Sequence, residues 1–156
     1  MLLPRLMDLI EHHADELVDQ ALADLSTNPR TPSFRGKDKE STRERMHDVV
    51  RNLSSWLATQ DEARIEGTFG EYGRRRRLDG TPLEEIVYAM IIAKERLWSF
   101  VERNDVTDSP LELDQERELI ESIGRFFDRA MYHTVRGYQH AAPEAASALA
   151  AGRPTR

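Results

Sequence analysis

Apolar residues recur along this chain at helical spacing in five stretches, separated by breaks that carry proline, glycine or a polar run. The first runs from about Pro4 to Leu25, with Leu6, Met7, Ile10, Ala14, Leu17, Val18 and Ala21 on one face. Pro29, Pro32 and Gly36 then punctuate a loop. Met46, Val49, Val50, Leu53, Trp56 and Leu57 mark a second helix over about Lys39 to Thr59. A third, from about Asp61 to Asp79, places Ile65, Phe69, Tyr72 and Arg76 on one side. Gly67, Gly70 and Gly73 interrupt its circumference. Each costs about 1 kcal/mol against alanine, a cost that close approach of a neighbouring backbone offsets.

Gly80 is a stop signal. Thr81-Pro82-Leu83-Glu84 reads as the start of the fourth helix, with Thr81 as the cap, Pro82 at the first helical position and Glu84 closing a capping box. That helix continues to about Arg103 and is apolar nearly all round, which predicts a central position. The loop NDVTDSP leads to a fifth helix from about Leu113 to Tyr138, with Leu119, Ile120, Ile123, Phe126, Phe127, Ala130, Met131 and Thr134 inward. No stretch alternates as a strand does. The pattern predicts an all-α bundle of four to five helices with short loops over residues 1–140. The alanine-rich segment 141–156 is expected to be a frayed, flexible tail or linker.

Composition narrows the function more than the fold. The 156 residues suit one domain with a real core. A formal net charge of −6 opposes nonspecific nucleic-acid binding, which needs surplus lysine and arginine. No segment approaches the roughly 20 apolar residues of a membrane span. The N-terminus meets acidic residues too early for a signal peptide. Cysteine is absent, which removes disulfides and thiolate chemistry and is compatible with a cytoplasmic location.

Two cations stand where apolar residues belong. Arg76 follows the Ile65, Phe69, Tyr72 face, and Lys94 lies between Met90 and Leu97. Arg74 to Arg77 circle the helix axis and cannot form one flat basic patch. Structural readings of Arg76 and Lys94 are solvation, ion pairing or snorkelling. The functional reading is a ligand or partner site that also draws on Tyr72, Trp98 and Phe127.

His13, between Ile10 and Leu17, and His133, beside the Phe126, Ala130, Thr134 stripe, are core-edge histidines or, alternatively, an axial ligand to haem. Glu44–His47 is the sole Glu-x-x-His spacing, which argues against a di-iron site. A Gly-x-Ser-x-Gly elbow and a phosphate-binding glycine loop are both missing, and the acidic residues fall on outward faces.

The segments IEHHADELVDQALADL, YGRRRRLDGTPLEEIVYAMIIAKERLW and FFDRAMYHTVRGY together resemble the N-terminal domain of RsbRD-type RsbT co-antagonist proteins. The resemblance implies a non-enzymatic, helical sensory module of bacterial stress signalling, with no catalytic residues and no set ligand to carry over. No room is left after Tyr138 for a STAS domain or a kinase core, so a stand-alone version or a domain cut from a longer protein is expected. Together with the inward cations, this predicts a domain that binds a small molecule or a signalling partner and answers by helix repacking. A homodimer is expected from the apolar surplus of the fourth helix. The alternative is a globin-like all-α protein that binds haem or another ligand.

Overall fold

The computed structural model describes the backbone of residues 2–36, 38–104 and 109–151, and the side chains among these from residue 4 to residue 141. Among these residues are six α-helices: α1 (Leu2–His12), α2 (Ala14–Thr27), α3 (Lys39–Thr59), α4 (Glu62–Leu78), α5 (Leu83–Arg103) and α6 (Pro110–Ala151). A short 3₁₀ turn over Pro32–Arg35 lies between α2 and α3. No strand occurs among the described residues, and none of their helices is long and apolar enough to cross a membrane.

The expected first helix is bent into two at His13. The ladder survives the bend, because the His13 amide donates to the Leu9 carbonyl and the Leu17 amide to that of His13. Nothing in the local sequence breaks the helix. Tertiary packing does so: α1 reaches α6, where Arg5 pairs with Glu112 at 2.6 Å, while α2 packs on α3 and α5. On that second face Asp19 pairs with Arg43, His47 lies 3.1 Å from Asp15, and Asp24 holds Arg96.

The start of α5 departs from the expected capping box. Pro82 is itself the N-cap, without a side-chain cap bond. Thr81 is buried, its amide donating to the Arg76 carbonyl while its carbonyl accepts from the Tyr138 hydroxyl at 2.7 Å. Burial between α4 and α6 therefore takes Thr81 away from the helix end. Glu85 corrects the reading that acidic side chains all face outward. It is buried and accepts from the Ser33 amide at 2.8 Å and the Ser33 hydroxyl at 2.5 Å, which pins the 3₁₀ turn to α5. Leu25, Phe34, Ala89 and Ile92 pack around that join.

The helix α5 is central as expected, with α2 and α6 both packed on it. Its apolar surplus is thus covered inside the chain, and the large exposed apolar side chains among the described residues are Leu78, Leu111, Leu113 and Tyr132. The helix α6 starts earlier than expected, at Pro110, and its backbone stays helical to Ala151. The side chains of the expected 141–156 tail fall almost wholly outside the described residues.

The tightest contact joins α4 to α6. The two helices run side by side in the same direction, with Gly70 facing Gly137 and Gly73 facing Thr134 and Tyr138. A Cβ on Gly73 would lie 2.0 Å from the Thr134 carbonyl oxygen, and one on Gly137 the same 2.0 Å from that of Gly70. The close approach read from the third helix's glycines is real at Gly73 and, through its backbone, at Gly70. Gly67 instead faces open space.

Gly73→Ala and Gly137→Ala should each destabilise the protein by about 1–3 kcal/mol or more, because backbone rather than a movable side chain blocks the new methyl. In urea titration the midpoint should fall for both. Gly67→Ala should be neutral or stabilising by up to about 1 kcal/mol through helix propensity.

Candidate functional site

Because α4 is bound so tightly to α6, it stands apart from α3 over most of its length. The corner between them is Gln60, in a left-handed conformation (φ 51°), and from there the two helices face each other across a cleft of about 770 Å³. Met46, Val49 and Ala93 supply apolar surface over the buried Phe69, Met90 and Phe127, and Leu25 and Phe34 also line the cleft. The walls are polar: Ser41, Thr42, Arg45 and Asn52 on α3 look toward Arg64, Tyr72, Arg75 and Arg76 on α4.

Arg76 is the buried cation of this site, only 7 % exposed. Its Nη2 meets Asp79 at 2.9 Å, and its guanidinium lies 5.2 Å from the centroid of the Tyr72 ring. Its Nε and Nη1 are buried without a hydrogen-bond acceptor. An unfilled buried donor costs about 1–3 kcal/mol, and more when charged. The other three arginines of the run are exposed, as their places on the helix require. Arg74 donates to Glu71 at 2.9 and 2.7 Å and Arg75 at 3.0 Å. Those bonds hold the Glu71 carboxyl down at about 2.

Arg45 is the residue that the sequence reading missed. Its Nη1 donates to Ser41 Oγ at 2.7 Å and its Nη2 to Thr42 Oγ1 at 3.0 Å, both neutral acceptors. Burial and then the nearby Arg76 charge lower its pKa. A signal was present: Arg45 stands four residues before Val49 and eight before Leu53, on the apolar face of its helix. Burial likewise pushes the Tyr72 phenol above its ordinary value, while the charges of Arg76 and Arg45 pull the other way.

The structure brings Arg76, Tyr72 and Phe127 together in the cleft and leaves the other candidates elsewhere. Lys94 is half-buried, with Nζ 4.8 Å from the centroid of the Trp98 ring. Trp98 faces α6, donating through Nε1 to the Ile120 carbonyl at 3.3 Å. His13 sits at the α1–α2 bend, its ring 5.5 Å from that of Phe100 and its Nδ1 3.2 Å from Glu16. His133 is buried against α4, with Nε2 3.6 Å from Glu62, which also faces Arg129 at 3.6 Å.

Neither histidine lines the cleft or the smaller surface hollow around Asp24, Tyr88 and Arg96.

A family model described as the RsbT co-antagonist protein rsbRD N-terminal domain matches residues 11–153. No curated protein and no solved structure gives a match.

The raised Tyr72 pKa sets a sign for alkaline stability. The folded state keeps the phenol protonated where the unfolded chain has lost its proton. The contribution is complete below the unfolded value and falls away as pH climbs toward the folded one. Ultraviolet titration of tyrosinate should show a late-ionising group that Tyr72→Phe removes. Arg76→Gln should move it later still, by deleting a charge that favours the phenolate.

Proposed function

The chain belongs to the family of RsbT co-antagonist rsbRD N-terminal domains, and from that premise we propose that it is a sensor whose α3–α4 cleft receives a small molecule or a segment of a signalling partner. The family places the chain among regulatory domains of stress signalling. The cleft supplies the feature that such a domain requires, a place where occupancy changes helix packing.

What carries this reading is that the two walls are held by different partners. The wall formed by α4 is held to α6 through backbone at Gly70, Gly73 and Gly137. The wall formed by α3 is carried on α2, with Arg43 and His47 facing Asp19 and Asp15, and touches α4 little beyond the Gln60 corner. An occupant that favours one spacing of α3 and α4 biases the equilibrium between two packings by its difference in affinity for them. Any displacement of α4 is passed to the 42-residue α6, because packed backbones move together. The mechanism needs no catalytic group, and Arg76, Tyr72 and Phe127 are the recognition residues. Lys94 and Trp98, on the α5–α6 side, would feel the repacking rather than the occupant.

Native mass spectrometry of the purified chain, alone and against a metabolite library, tests the proposal and reports the oligomeric state, with a homodimer read as doubled mass. The wild type should retain or gain a bound mass. Ala93→Phe, which fills the floor of the cleft, should lose it while keeping its helical circular dichroism. Hydrogen exchange in α4 and α6 should slow on binding in the wild type alone. Equal binding by Ala93→Phe would place the occupant elsewhere and overturn the assignment of the cleft.

A further inference from the structure

Two arginines of the cleft have donors that no carboxylate fills. Arg45 on α3 and Arg76 on α4 lie close enough for each to feel the other's charge. Asp79 answers one of them, through Arg76 Nη2. Two donors of Arg76 have no acceptor, and both Nη atoms of Arg45 rest on neutral hydroxyls. A carboxylate makes a shorter and roughly twice stronger bond to guanidinium than a hydroxyl does. Beside this pair lies apolar surface from the half-buried Met46, Val49 and Ala93.

Resting on the cleft as the sensing site, we propose that its ligand is a monocarboxylate on an apolar body. The carboxylate bridges Arg45 and Arg76, the apolar body lies on the cleft floor, and binding draws α3 toward α4.

A single negative charge fits better than a phosphate. Asp79 is bonded to Arg76, and Arg45 has hydroxyls rather than a carboxylate on its Nη atoms, so one carboxylate would serve both. Of the other wall cations, Arg75 is bonded to the Glu71 carboxylate, and Arg64 donates at 3.4 Å to the neutral amide oxygen of Asn52. Glu44 and Asp48 also line the cleft and oppose a second negative charge. The clamp follows from Coulomb's law. Without an anion, two like charges on facing helices repel; with one between them, each is attracted inward. The Arg76 donors are shielded from solvent in the present packing, so the guanidinium must swing off the Tyr72 ring to meet the head group. That movement is where binding and helix position become coupled.

Calorimetry on the full chain with decanoate, decanol and decyl phosphate tests the ligand class. Decanoate should bind at least tenfold more tightly than either of the others. Arg45→Gln and Arg76→Gln should each weaken decanoate tenfold or more and leave decanol unchanged; Arg45, the less buried of the two, guards against a variant that fails to fold. Equal affinity for decanoate and decanol, or unchanged decanoate binding by Arg45→Gln, overturns the anion site. Tighter binding of decyl phosphate overturns the choice of a monocarboxylate.

The clamp is read separately. Since the chain has no native cysteine, spin labels at Glu40→Cys on α3 and Leu78→Cys on α4 report one distance, which should shorten with decanoate and not with decanol. Decanoate binding at an unchanged distance overturns the clamp. None of these failures touches the cleft itself, because Ala93→Phe reads its occupancy whatever the ligand's charge.

Discussion

The contact on which this structure turns is a meeting of backbones. At Gly73 and Gly137 the α4 and α6 chains approach so closely that not even a methyl group fits between them. Such contact is available to few residue types, and it fixes the position of α4 against α6 rather than against its sequence neighbour α3. A bundle in which α3 and α4 packed as an ordinary helical hairpin would close the space between them. Here that hairpin is held open, since α4 has spent its small-residue face on another partner. Its other side, with Arg64, Thr68, Tyr72 and Arg75, is left to border a cleft, and Arg76 lies at the edge between the two.

Within that cleft, energetics separate structure from recognition. Burying a guanidinium is expensive, and apolar replacements of buried ion pairs are often neutral or stabilising. A cation kept for stability alone would have all of its donors filled. Arg76 has a half-exposed Asp79 for one nitrogen, the face of Tyr72 beside it, and nothing for Nε and Nη1. Arg45 adds a second charge of the same sign. Local rules broken in this way tend to mark sites where stability has been given up for function. The Glu62, Arg129 and His133 group differs in kind. It carries its own carboxylate at 3.6 Å from both Arg129 and His133, so small side-chain motions satisfy it without a ligand.

Much of this was legible in the sequence, because it depends on periodicity within single helices. The stripes located α3, α4 and α5 closely, Gly80 takes the left-handed conformation expected of a stop (φ 73°), and the count from Phe69 through Tyr72 put Arg76 inside. The glycines of α4 announced a close neighbour without naming it. What periodicity cannot show is which helices pair. The bend at His13, the burial of Thr81 under Tyr138 and the acceptor role of Glu85 toward Ser33 all come from contacts between distant segments. The cleft is of the same kind, since it exists only because α4 pairs with α6. Arg45 lay between these cases: its spacing put it on the inward face, but its meaning required Arg76 across the gap.

Arg76 and Lys94 show how one sequence pattern yields two physical outcomes. Each stands on the apolar face of its helix, yet only the arginine is buried. A lysine ammonium is compact and strongly hydrated on a flexible stem, so it slides along an aromatic ring toward water, as Lys94 does over Trp98. A guanidinium is planar, more weakly hydrated, and able to stack on Tyr72 while its edges stay free to donate. The difference decides what each side chain can recognise. The lysine's charge is already shared with solvent, and an anion arriving there gains little. The arginine's charge is held in a poorly screened place beside another cation, where an arriving carboxylate meets attraction that water has not weakened. The chemistry of the side chain, more than its position in the helical pattern, therefore locates recognition at the α3–α4 cleft rather than at the α5–α6 face.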